Sequence, residues 1–296
     1  IAIIGAGNFG TVRLDAAAGI FQAAGGSGIT GGTVTLRSTA ANSHMNAFGA
    51  LAPGALSLHE VRSLTVETGG HVDIHLGGAS GAPVLANLDI TRNATGTGFS
   101  LNDGSSATAL NGQQNLTVTD ISGGTSVGLA NSAATGVNFR YRNGSGSAGN
   151  IVAAATTGGG TVTLETSAGS VTTNAIDTRG GAAGDGGVSV SAGTGIVVAG
   201  ATDSGNGSIN LSTSGDIGGA GSLTSGSNVV LSSSGGSIGS VGTPLAVTAP
   251  SVQLNASRSG VGGDVHASLT GTTALGVNAD NGFTITSSSD LASLDL

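Results

Sequence analysis

SINLSTSGDIGGAGSLTSGSNVVLSSSGGSIGSVGTPLAVTAPSVQLNA, residues 208 to 256, sets one short apolar pair after another: Ile209 with Leu211, Val229 with Leu231, Val252 with Leu254. Within each pair the apolar residues stand two apart, the spacing of a strand with one buried face. Upstream, Val188 with Val190 and Val162 with Leu164 extend the series at a nearly constant interval. A second apolar position follows each pair within the same repeat, at Val171, Ile196, Ile217, Ile238 and Val261, and a third recurs at Ile176, Leu223 and Leu245. The start of the chain obeys the same rule, with Val12 and Leu14, Ile20, Ile29, then Val34 and Leu36 one period later.

A repeat period of roughly 20–26 residues, with two or three short strands in each repeat, is what a solenoid needs, because every coil buries its apolar side against the coils above and below. The leucine and asparagine spacing of a leucine-rich repeat is missing, and so is a six-residue period. The expectation is an all-β chain, a right-handed parallel β-helix (β-solenoid) of about 20–26 residues per coil. Glycine and asparagine are expected to supply positive φ at the corners. Ser, Thr and Asn are expected to face solvent or to form ladders between coils. Between residues 60 and 150 the inward sets are Leu64 with Val66, Val72 with Ile74 and Leu76, Leu88 with Ile90, Leu116 with Val118, and Val137 with Phe139 and Tyr141. The pattern loosens in AANSHMNAFGALAPGALSLHE, which reads as an irregular loop or bulged coil near 40–60. No linker interrupts the rest, so residues 1–296 read as one continuous β-helix.

Composition narrows the function. Of 296 residues 56 are glycine, 8% are charged and 2% aromatic, yet 38% are hydrophobic and regularly spaced, which argues against disorder. The net charge is −8, and all eight basic residues are arginines. That balance disfavours nucleic acid and anionic membranes as partners. No apolar run approaches a transmembrane span, and no basic start followed by an apolar stretch reads as a signal peptide. The lack of cysteine excludes disulfides and thiolate chemistry.

SGDIGGAGSL (214–223) and GSIGSVGTPLAVTAPSVQLNA (236–256) resemble the repeats of filamentous haemagglutinin-like exoproteins, secreted by bacteria through the two-partner route. The likeness is clear over about 157–290 and diffuse before it. It implies a right-handed β-helical rod at the surface of a Gram-negative bacterium, serving adhesion, biofilm formation or toxin delivery. It also implies an outer-membrane secretion partner for the full-length protein. The Asn-Pro-Asn-Gly secretion signature and an Arg-Gly-Asp tripeptide are not in this sequence, so the chain reads as an internal piece of a longer protein.

Several motifs offer chemistry. IAIIGAGNFG, residues 1–10, has the G-x-G-x-x-G spacing of a dinucleotide-binding turn, but that turn must open a helix, and Val12 and Leu14 continue at strand spacing. No cofactor is expected. In HVDIHL (71–76) the outward residues His71, Asp73 and His75 form a candidate metal set; an ordinary solvated face explains the same letters. In NFRYRNGSG (138–146) Arg140 and Arg142 oppose Phe139 and Tyr141 and offer a candidate grip on a carboxylate or sulfated glycan, again against the alternative of a plain exposed strand. Asp73, Asp89, Asp103 and Asp120 are the carboxylates to watch for a polysaccharide-degrading groove. Six N-x-S/T sequons begin at Asn93, Asn115, Asn143, Asn206, Asn210 and Asn255.

The resulting expectation is a non-enzymatic, extracellular structural adhesin segment, secreted or held at the bacterial cell surface. Its partner would be a host or sister-cell surface glycan or protein. Two alternatives remain open: a subunit or repeat of a homopolymeric surface filament that self-associates end to end, because an unpaired sheet edge is adhesive, and a β-helix that degrades polysaccharide.

Overall fold

Each apolar pair becomes a rung of one long parallel sheet in the computed structural model. The structure describes residues 10–23, 28–38, 40, 44–48, 53–70, 72–77, 85–93, 99–103, 116–120, 126–131, 136–143, 149–180, 184–257 and 263–296. All their regular elements are strands, and none of their segments is a helix long and apolar enough to cross a membrane. The first sheet has twelve strands, from Thr11–Asp15 to Ser293–Asp295. Its first inward column runs Val12, Val34, Leu64, Leu88, Phe139, Val162, Val188, Ile209, Val229, Val252, Leu275, Leu294, in register throughout. A second column runs beside it from Leu14 through Tyr141 and Leu211 to Val277. At about 4.8 Å per rung the twelve strands span on the order of 50 Å. The chain is an all-β solenoid with one continuous apolar core.

The remaining sides of the coil come from strands that turn a corner. Ser170–Asp177 pairs with Gly195–Val198 through its first half and with Ala201–Asp203 through its second. The second face accordingly stacks Val171, Ile196, Ile217, Ile238, Val265 and Phe283. Val265 fills the rung expected for Val261, which lies outside the described residues. On the third face Ile176, Thr202, Leu223, Val247 and Leu269 are in register. Leu245, expected to follow Leu223, aligns with Ala267 instead. The slip is two positions, so side chains keep their side of the strand, and Leu245 and Val247 are both buried.

Two coils depart from the period. The coil from Val34 to Leu64 is longer than the one before it, from Val12 to Val34. Within it His44–Phe48 pairs in parallel with Gly19–Ala23, and Leu56–His59 with Val72–Gly77, while Met45, Leu56 and Leu58 are buried. The coil from Leu88 to Phe139 is longer still. Leu116–Asp120, expected as an ordinary inward strand, runs antiparallel to both Phe99–Asp103 and Ser126–Asn131. A solenoid tolerates such an insertion because each coil contacts only its neighbours.

The corners correct two expectations. Positive φ occurs at Gly158, Gly159, Gly184, Gly205, Gly219 and a few other described glycines, but not at Gly160, Gly186 or Gly207. These three are glycine because a Cβ on each would strike the carbonyl of the coil beneath, at Val137, Gly160 and Gly186 respectively. The constraint is the close stacking of backbones rather than the local turn. Nor do all hydroxyls face solvent. Thr157, Thr178 and Ser204 are buried, and their hydroxyls donate to the carbonyls of Gly160, Gly186 and Gly207 at 2.5, 2.6 and 2.6 Å. Each ties one corner to the start of the next first-sheet strand.

Candidate functional surface

The outward residues of the first sheet form two rows, and their charge gathers in the N-terminal part, with Asp295 on the last strand the exception. Arg13 pairs with Asp15 at 2.7 Å and Arg37 with Glu67 at 2.8 Å. Asp89, Arg140, Arg142 and Glu165 then form a network across three adjacent strands. Arg140 grips Glu165 at 2.7 Å and lies 3.9 Å from Asp89; Arg142 reaches Asp89 at 3.2 Å and donates to the Thr91 hydroxyl at 2.6 Å. The hydrogen bond to Glu165, with its charge, raises the pKa of Arg140. Arg140 and Arg142 therefore share a face as the strand alternation requires, and both are neutralised by carboxylates of neighbouring coils. An anionic glycan would have to displace Glu165 and Asp89. The pairs are partly exposed, which places each at roughly 0–1 kcal/mol.

From Ser189 to Asn278 the same two rows hold Ser, Asn, Gln, Gly and one Val, with no ionisable side chain. At the corner beside them a shallow uncharged groove runs along the rod, lined by Ser191, Ser212, Ser214, Ser232, Ser234 and Asn255.

A second charged centre sits at the corner after the third face. Asp177 and Asp203 are in register on adjacent coils, and Arg179 bridges them at 2.6 and 3.3 Å. The hydrogen bond from Arg179 lowers the pKa of Asp177, and Asp177 in turn raises that of Arg179. Asp185 accepts from the main-chain N–H of Gly180 at 2.9 Å and of Asn206 at 2.7 Å, and these bonds lower its pKa as well. Asp185 and Asp203 read from sequence as turn residues; their meeting around Arg179 depends on coil stacking, which single letters do not announce.

The other expected sites fare unequally. His71 lies outside the described residues. Asp73 and His75 lie on Val72–Gly77, between the buried Val72, Ile74 and Leu76, and among the described residues no three His, Cys, Asp or Glu are placed to hold a metal. Asp89 belongs to the first sheet and Asp73 to a strand outside it, while Asp103 is in register with Leu76, so these carboxylates do not line one row. Residues 1–9 of the opening glycine motif lie outside the described residues, and Thr11–Asp15, directly after Gly10, is a strand. Of the sequons, Asn115 is outside the described residues, Asn143 is buried and donates to the Gly149 carbonyl, and Asn206 is held by Asp185. Asn210 and Asn255 face outward.

No protein-family model, curated protein or solved structure matches the chain.

Proposed function

We propose that the chain is a structural segment of an extracellular bacterial surface rod of the filamentous haemagglutinin-like kind, non-enzymatic, with attachment or biofilm cohesion as its purpose. The observation that carries this reading is the unbroken inward column from Val12 to Leu294 across twelve strands. A column of that kind converts chain length into axial length with a continuous core, and backbone ladders along the axis resist bending. The partners it fits are a host or sister-cell surface glycan or protein, with an outer-membrane secretion partner for the full-length protein. The pairing of outward charges supports the same reading: Asp89, Arg140, Arg142 and Glu165 satisfy one another and join neighbouring coils.

Attachment is the direct test. Surfaces coated with the purified chain should retain Gram-negative cells or epithelial cells above an albumin control, and soluble chain should compete. No retention on either cell type would remove the adhesive half of the proposal. Release of reducing ends from pectin or alginate would replace it with the polysaccharide-degrading reading.

A further inference from the structure

The long coil from Leu88 to Phe139 holds more strands on one side of the rod than on the other. Between Ser63–Thr68 and Asn138–Asn143 the first sheet advances by two rungs, through Asn87–Arg92. On the other side of the rod, the strands that follow those two, Val72–Gly77 and Ile151–Thr156, stand four rungs apart, with Phe99–Asp103, Leu116–Asp120 and Ser126–Asn131 between them. At about 4.8 Å per rung that side is longer by roughly 10 Å. The interior is filled accordingly. Phe139 and Tyr141 are fully buried at this level, in two columns that elsewhere hold Val, Leu and Ile, and Arg92 on the adjacent strand is fully buried as well.

The excess is one contiguous piece of sequence. Without residues 99–125, Leu88 and Phe139 would stand as many residues apart as Leu64 and Leu88 do one coil earlier. What would remain is an ordinary coil, with Ser126–Asn131 as its strand on that side. Direction and phase both permit the closure. Leu116–Asp120 is antiparallel to each of its neighbours, so Val72–Gly77 and Ser126–Asn131 run the same way. The register leads from Val72 through Phe99 and Asp120 to Val127, and from Ile74 through Leu101 and Val118 to Leu129. Val72, Ile74, Val127 and Leu129 are all buried, so direct pairing of the two strands keeps these side chains on the core side.

We propose that residues 99–125 are a movable insert. The hairpin of Phe99–Asp103 and Leu116–Asp120 exchanges between the intercalated form of the structure and a projecting form, in which Val72–Gly77 pairs directly with Ser126–Asn131. The first sheet is unbroken in either form, because Asn87–Arg92 and Asn138–Asn143 are already partners. Leaving the sheet keeps the hairpin's own ladder and replaces its two flanking ladders by one. The intercalated form is thus the major one, and the bulk of Phe139 and Tyr141 favours it further; whatever binds the projecting hairpin shifts the population toward it. The device gives the rod a retractable two-stranded arm.

The chain has no cysteine, so an engineered disulfide can report the projecting form. Asp73 and Gly128 are in register through Ser100 and Thr119. They stand roughly 14 Å apart in the intercalated form and about 5 Å apart in the projecting one, and only the second lies within reach of a disulfide. A Cβ at Gly128 meets no atom within 4 Å. In a glutathione buffer the whole chain carrying Asp73→Cys with Gly128→Cys should crosslink to completion, at least tenfold more slowly than the control Gly128→Cys with Ala154→Cys, whose positions are adjacent in both forms. The crosslinked product should keep its melting transition and be cut by thermolysin only within residues 99–125. Deletion of residues 99–125 should also leave a cooperative melt and a β spectrum. Failure of the Asp73 and Gly128 pair to crosslink while the control does overturns the proposal. So does a crosslink that forms only in urea concentrations that unfold the chain, and so does a deletion variant with no melting transition.

Discussion

A glycine in this chain answers to a positive φ, to a close backbone one coil away, or to neither, and a substitution separates the three cases. Gly219 sits at φ 129°, where an L side chain is strained. Gly186 has no such angle, but its Cβ would meet the carbonyl of Gly160 one coil below. Gly218 has neither constraint. Gly186→Ala should therefore destabilise by about 1–3 kcal/mol, the range for forcing atoms into a packed site, while Gly218→Ala should be neutral or stabilising by about 0.5 kcal/mol through the unfolded state. Thermal melts of the two variants check this, and equal losses would mean that the coils are not stacked as closely as described. The sequence presents all 56 glycines as the same letter. Which demand applies depends on the residue one coil away, a full repeat distant in the chain, and a reading of local turn chemistry assigns them all to positive φ.

At the scale of the element, strands were legible and corners were not. The alternation of Ile209, Asn210 and Leu211 fixes which side chain is buried, because a strand has only two faces, and the structure buries Ile209 and Leu211 and exposes Asn210. Corners are set instead by buried hydroxyls and by carboxylates meeting across coils. Thr178 closes its corner on the Gly186 carbonyl, so Thr178→Val, nearly the same shape without the donor, should cost about 1–2 kcal/mol. The centre around Arg179 adds a pH dependence. Asp177 and Asp185 have depressed pKa values, from the hydrogen bonds of Arg179 and of the Gly180 and Asn206 amides respectively. A carboxylate depressed in the folded state contributes stability that is complete above its unfolded value, about 4, and is lost as pH falls through the folded one. Hydrogen exchange should thus show residues 178–180 and 184–187 opening below about pH 4 before the strands from Ile209 to Ala256 do. In Asp185→Asn, part of that acid response should already be absent; an unchanged pH profile would show that Asp185 does not hold the corner.

The whole molecule is close to one-dimensional, and that is why its fold could be read at all. A short, nearly regular repeat leaves the same apolar signature on twelve strands, so an error at one rung is corrected by the next. Where the repeat is diluted, as in the long coil from Leu88 to Phe139, the pattern predicted a strand at Leu116 but carried no information about its direction. The same one-dimensionality governs how damage spreads. Leu211 is 2% exposed, flanked in its column by Val190 and Leu231, and Leu211→Asp places a carboxylate in that dry stack. Its pKa rises until it is neutral, yet a loss of about 3–5 kcal/mol remains, combining the deleted apolar contacts with an unmatched polar group. Asn210→Asp, one residue away and facing water, should change stability by less than about 0.5 kcal/mol. Because coils contact only their neighbours, the loss at Leu211 should appear as faster exchange in the strands around Val190, Leu211 and Leu231, while those from Val34 to Ile90 keep their protection. Equal tolerance of the two substitutions would overturn the register. Uniform loss of protection along the chain after Leu211→Asp would mean that the coils unfold as a single unit and that the rod is stiffer, and more cooperative, than a nearest-neighbour stack.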